Sequence, residues 1–144
     1  MLEISHSVES YIIQHLYFCK DTERCCFWGA SEKINAIDNV FYVESSSASR
    51  YYVNPDIAIL NKKLNEWSAN HIFCTGFVHS HITGKDTISE QDLKAAKLIF
   101  DSLHMQHMWL GLVLPNAPMD EILVFHAFFK GDNFAAERVP YIIT

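Results

Sequence analysis

Apolar positions recur along this chain with two different periods, and the switches between them mark its elements. Ile4, Val8, Tyr11, Ile12, Leu16 and Cys19 fall at helical spacing over residues 4–19, which predicts a helix with one core-facing stripe. Cys25–Ala30 and residues 34–43 read as two strands, joined by a turn near residues 31–33. The polar run Ser45-Ser46-Ser47-Ala48-Ser49 reads as a surface loop that could border a substrate groove. Asn54-Pro55-Asp56 is a helix start, with a capping Asn, Pro at the first helical position and an acid in the first turn. Ile57, Leu60, Leu64 and Trp67 continue it as one apolar stripe. A strand over 71–78 and a helix over 89–103 follow, the latter carrying Leu93, Ala96, Phe100 and Leu103 on one face. Residues 108–114 and 121–129 read as strands around the turn-rich Pro115-Asn116-Ala117-Pro118-Met119-Asp120, and 139–143 as a short last strand. The order α-β-β-α-β-α-β-β predicts an α/β (α+β) fold, a central sheet with helices packed against it. Neither a repeat nor a linker interrupts it, so residues 1–144 are expected to form a single domain.

Composition narrows the classes. Of 144 residues 49% are hydrophobic, including ten Phe, six Tyr and three Trp, which supplies a core and opposes disorder. The net charge is −6 and there is no Lys/Arg run, so a nucleic-acid partner is not expected. Cys19, Cys25, Cys26 and Cys74 have no C-x-x-C spacing and lie in or beside apolar segments, as free thiols in a reducing compartment do. The opening residues lack a basic n-region and carry Glu3, unlike a signal peptide. No apolar run approaches the roughly 18–20 residues of a membrane span. A soluble, cytoplasmic protein is the expectation.

The chemistry concentrates in one stretch, Gly76-Phe77-Val78-His79-Ser80-His81 and onward to Ser89 and Asp92. Two histidines at i and i+2 on a strand point to one face. Ser89 opens the next helix and Asp92 falls in its first turn. Two imidazoles and one carboxylate can close three corners of a zinc tetrahedron and leave the fourth for water, the arrangement of catalytic sites. Ser89-x-x-Asp92 also works as a plain helix cap. The remaining histidines, His6, His15, His71, His104, His107 and His126, are scattered and read as ordinary surface or core groups.

This stretch resembles the signature of the JAMM (MPN+, JAB domain) zinc metalloproteases, an upstream Glu followed by H-[ST]-H-P-x6-S-x2-D. Every position of the second part is matched except one: Ile82 stands where the family has Pro. The resemblance runs from about Thr22 to Val124. It implies that His79, His81 and Asp92 bind one zinc ion and that Ser89 helps to stabilise the tetrahedral intermediate. The upstream pattern, E-x-C-G-hydrophobic-x-x-G, is met in part by Thr22-Glu23-Arg24-Cys25-Cys26-Phe27-Trp28-Gly29-Ala30. Glu23 is therefore the implied general base, with Glu44 and Glu32 as rivals.

The resemblance also implies a curved mixed β-sheet flanked by helices, of cytidine-deaminase-like architecture, and a substrate class. That class is the peptide or isopeptide bond after the C-terminal tail of ubiquitin or a ubiquitin-like protein, hydrolysed by zinc-activated water with no acyl-enzyme. Release of an amino acid from a ubiquitin-fold sulfur-carrier protein is an alternative, and a non-catalytic MPN scaffold is another. Cys25 or Cys74 as a nucleophile is the weaker idea, since neither has a base beside it in sequence.

Overall fold

A computed structural model describes residues 1–43, 57–118 and 121–144. Leu2 and Ile4 are buried in a short strand, β1 (Leu2–Ile4), where the spacing predicts the start of a helix. The helix begins two residues later. Ser5 caps it by accepting from the Val8 N–H at 3.3 Å. Helix α1 (His6–Ile12) then widens into a π-helical turn over Ile13–Tyr17, and Cys19 lies beyond it. The Ser45–Ser49 run, the cap Asn54-Pro55-Asp56 and Glu44 lie outside the described residues.

Strands β2 (Cys25–Ala30), β3 (Ala36–Ile37) and β4 (Asn39–Val43) follow. The single strand predicted over 34–43 is divided at Asp38, whose N–H bonds the Gly29 carbonyl at 3.0 Å. Helix α2 (Ile57–Ala69), strand β5 (Phe73–Ser80), helix α3 (Glu90–Ser102) and strand β6 (Met108–Val113) come next. Strands β7 (Leu123–Lys130), β8 (Asn133–Arg138) and β9 (Tyr141–Ile143) complete the chain. Strand β8 has no counterpart in the sequence reading.

Six strands form the main sheet in the order β4-β2-β5-β6-β7-β8, and β3-β1-β9 form a second, parallel sheet. In the main sheet only β5 and β6 are parallel, joined through α3 as a β-α-β unit. The fold is thus mixed α/β, as expected. One face of the main sheet packs on α2 and α3, where Cys25, Phe27, Phe77, Trp67, Ala96 and Phe100 meet. The other face packs on α1, with Val8, Ile12, Leu16, Cys26, Trp28 and Val78 together. Among the described residues, no helix is long and apolar enough to cross a membrane.

A bulge in β5 decides which face each histidine takes. Trp28 pairs with Gly76 and Gly29 with Cys74, so Thr75 is the extra residue. Its buried hydroxyl donates to the Trp28 carbonyl at 3.3 Å. Before the bulge, Ile72 and Cys74 face α2 and α3; after it, Phe77 does. Alternation from Phe77 then carries His79 and His81 onto that same face.

Candidate metal centre

Strand β5 ends at Ser80, and its pairing with β6 is prolonged by the His81 N–H, which bonds the Val113 carbonyl at 3.0 Å. Both histidines are buried, and Asp92 reaches them from the first turn of α3. The Nε2 atoms of His79 and His81 are 2.9 Å apart. Asp92 Oδ2 lies 3.1 Å from the first and 3.0 Å from the second.

Proton bookkeeping shows why this triangle suits a cation. His81 Nδ1 is 3.0 Å from the Lys85 carbonyl, which can only accept. That nitrogen therefore carries the proton, and in the neutral ring Nε2 presents its lone pair to the cluster. Asp92 Oδ2 has no proton to give and already accepts from the Ser89 N–H at 3.0 Å. With His81 neutral, its lone pair faces that of a carboxylate. A cation at the centre draws all three donor atoms together. Among the described residues the buried His79 Nδ1 has no hydrogen-bond partner, so the polar contacts of that ring are on its Nε2 side. The carbonyl behind His81 is the kind of outer support that fixes a ligand's tautomer. His79, His81 and Asp92 could thus hold a metal ion. Two imidazoles and one carboxylate suit zinc and other first-row divalent ions.

Electrostatics agree with the geometry. Burial works against the Asp92 charge, yet the adjoining His79 and His81 rings and the Ser89 N–H hold its carboxyl far below the usual range. Burial also pushes His81 down, but Asp92, the Lys85 carbonyl and Glu23 more than offset it and raise the imidazole. A proton and a cation compete for the same lone pairs.

Ser89 and Asp92 form a full capping box. Ser89 Oγ accepts from the Asp92 N–H at 3.1 Å, while Asp92 accepts from the Ser89 N–H. Cap and candidate ligand are one device, because the bond that starts α3 also aims Asp92 at the histidines. The Ser89 hydroxyl keeps its own proton to donate.

Glu23 comes from the segment that leads into the neighbouring strand β2. Cys25 pairs with His79, the Arg24 N–H donates to Ser80 Oγ at 2.9 Å, and the Ser80 N–H donates to the Arg24 carbonyl at 3.0 Å. Glu23 lies one residue further on, close enough to His81 and Asp92 for their charges to act on its carboxyl. It is 9% exposed. Burial pushes its carboxyl up, His81 pulls it back, Asp92 pushes it further, and it comes to about 7. Glu32 lies past the far end of β2, whose six residues span roughly 17 Å at about 3.3 Å per residue. Glu44 directly follows Val43, which pairs with Cys25.

Sequence reasoning missed three contacts. Cys25 sits beside His79 across the strands, but burial holds its thiol well above the ordinary value and raises Cys74 to about 11. Neither is a thiolate at neutral pH. The Lys85 carbonyl carries no side-chain signature. His107 Nδ1 and His126 Nε2, far apart in sequence, meet at 2.8 Å, which one N–H···N bond explains. They lie toward the other end of the sheet, where Trp109 pairs with Gly76, not with His79.

Fold and site together define a class: a mixed α/β protein with a buried two-imidazole, one-carboxylate group at the carboxyl end of a parallel strand. Comparison with known proteins adds to the fold alone. No family model matches the chain, and no curated protein matches it. Among solved structures it is similar to the solution structure of protein DSY2949 from Desulfitobacterium hafniense. The TM-score is 0.72 at 14% identity, over 100% of this chain and 93% of that one.

Proposed function

We propose that this chain is a zinc-dependent peptidase or isopeptidase of the JAMM (MPN+) type, cutting after the C-terminal tail of a ubiquitin-like protein. The observation that carries the reading is Glu23. A buried carboxylic acid, two residues before the Cys25 that pairs with His79, lies near enough to His81 and Asp92 for their charges to act on it, and burial holds its carboxyl up to about 7. A ligand cluster alone would serve a structural ion equally well. A neutral-range acid beside it gives the site a group that can take and return a proton.

Zinc held by His79, His81 and Asp92 supplies Lewis acidity and a lowered pKa for water. Glu23 accepts a proton from the attacking water and delivers it to the departing amine. Ser89 donates its remaining proton toward the oxygen of the scissile carbonyl, while its lone pair stays with the Asp92 N–H. Because the histidines and Glu23 are buried, the bond to be cut must arrive on a narrow, extended segment with small residues. A bulky side chain there would displace the carbonyl, and about 1 Å of misplacement can cost roughly 10²-fold. Tails of ubiquitin-like proteins have that form.

The test is mass spectrometry of ubiquitin-like and sulfur-carrier proteins from neighbouring genes, each extended past its terminal glycine. Wild type should cut at the glycine. Glu23→Gln should keep its zinc and its fold and lose at least about 10²-fold in rate. Near-normal turnover in Glu23→Gln with collapse in Glu44→Gln would move the base to Glu44. Zinc-loaded wild type that binds one tail stably and cuts none would overturn the enzyme in favour of a scaffold.

A further inference from the structure

The segment from His81 to Ser89 must leave a strand, hold one metal ligand and begin the helix that carries another. Its first step is a tight turn, His81-Ile82-Thr83-Gly84, closed by the Gly84 N–H on the His81 carbonyl at 3.3 Å. Ile82 occupies the second position of that turn, where Pro is favoured because its ring presets φ. Isoleucine presets nothing, and its branched Cβ stiffens the side chain without fixing the backbone. A turn that orients a ligand therefore needs a hold from elsewhere.

One bond supplies it. Asn116 Nδ2 donates to the Ile82 carbonyl at 2.9 Å, from 34 residues away. Asn116 is itself stiffly presented. It sits third in the turn Leu114-Pro115-Asn116-Ala117, closed by the Ala117 N–H on the Leu114 carbonyl at 3.1 Å, with Pro at the second position. The Ala117 carbonyl accepts from the Tyr17 hydroxyl at 3.1 Å, which ties this turn to the π-helical end of α1. The Ile82 side chain is 4% exposed, so the turn is packed as well as bonded. The proline that stiffens this corner is Pro115, on the donor's side of the bond.

We infer that Asn116 is a positioning residue for His81: its amide fixes the turn at Ile82 and so holds the imidazole in place for the metal. The inference rests on the metal reading above. It acts through the turn alone, since the side chain reaches Ile82 and not the cluster.

The test uses amide hydrogen exchange at Gly84 in metal-stripped protein, and zinc affinity by chelator competition. Asn116→Ala and Asn116→Asp both remove the donor, and Asp keeps the shape. Each should speed Gly84 exchange and weaken zinc binding about tenfold, the lower end of what outer-shell ligand supports contribute. Ile82→Pro in the Asn116→Ala background should bring both back to within about threefold of wild type. If Ile82→Pro alone lowers the melting temperature through lost packing, the Asn116→Ala and Asn116→Asp pair decides. Unchanged Gly84 exchange and unchanged zinc affinity in both would overturn the inference. Wild type that binds no zinc would instead overturn the metal reading, leaving Gly84 exchange as the sole judge of the turn.

Discussion

A buried carboxylic acid that titrates near neutral pH leaves a mark on folding as well as on chemistry. In the unfolded chain Glu23 ionises near its ordinary 4.5, and in the folded metal-free chain at about 7. Below pH 4.5 both states hold the proton and the residue adds no penalty. Between about 4.5 and 7 the unfolded state gives up its proton first, so stability falls as pH rises, and this one residue's penalty reaches its full size above 7. Glu23→Gln has no such window. Denaturant unfolding of metal-stripped protein should show Glu23→Gln gaining on wild type between pH 4.5 and pH 8; parallel profiles would mean that Glu23 is not buried beside the cluster. At this scale the candidate ligands were legible. His79 and His81 announce themselves by period-two spacing, and Asp92 by its place three residues after a capping serine. The Lys85 carbonyl and the Asn116 amide were not, because a backbone acceptor and a loop contact 34 residues distant leave no pattern in residue type.

Among the elements, β5 carries the most consequence. Gly76 follows the bulge at a φ of 145°, and a Cβ there would lie 2.0 Å from the Trp109 carbonyl oxygen. Glycine alone fits at this close approach, from which the β5–β6 pairing runs on through His79 to Ser80. Gly76→Ala should cost about 3–5 kcal/mol, the upper end of single-residue effects, and should weaken metal binding with it. Urea unfolding measures the first, and a loss under 1 kcal/mol would refute the strained geometry. Long periodic segments were legible here: α2, α3, β2, β5, β6 and β7 lie close to where apolar spacing puts them. The misses have physical causes. Ile4 falls in helical phase with Val8 and so reads as helix, whereas Leu2–Ile4 pairs with β3 and β9, which no local pattern announces. The sequence of β8, Asn-Phe-Ala-Ala-Glu-Arg, is an edge strand whose polarity alternates weakly. The bulge at Thr75 shifts the alternation within a run that reads as uniform.

Across the whole molecule, the main sheet divides two apolar cores, and its central strands are buried on both faces. That gives β2 and β5 a rigid bed, and the centre forms where β5 ends and Glu23 leads into β2. The α/β class was legible from the alternation of periods; strand order and the second sheet were not, since they depend on pairings between distant segments. Everything proposed for function depends on one property of the assembled protein, that His79, His81 and Asp92 hold a single zinc ion. Elemental analysis of protein purified without a chelating tag, wild type beside the His79→Ala/His81→Ala double variant, measures it directly. About one zinc per chain in wild type, and close to none in a double variant that remains folded, is the expected result. A double variant that retains its full zinc content would contradict it.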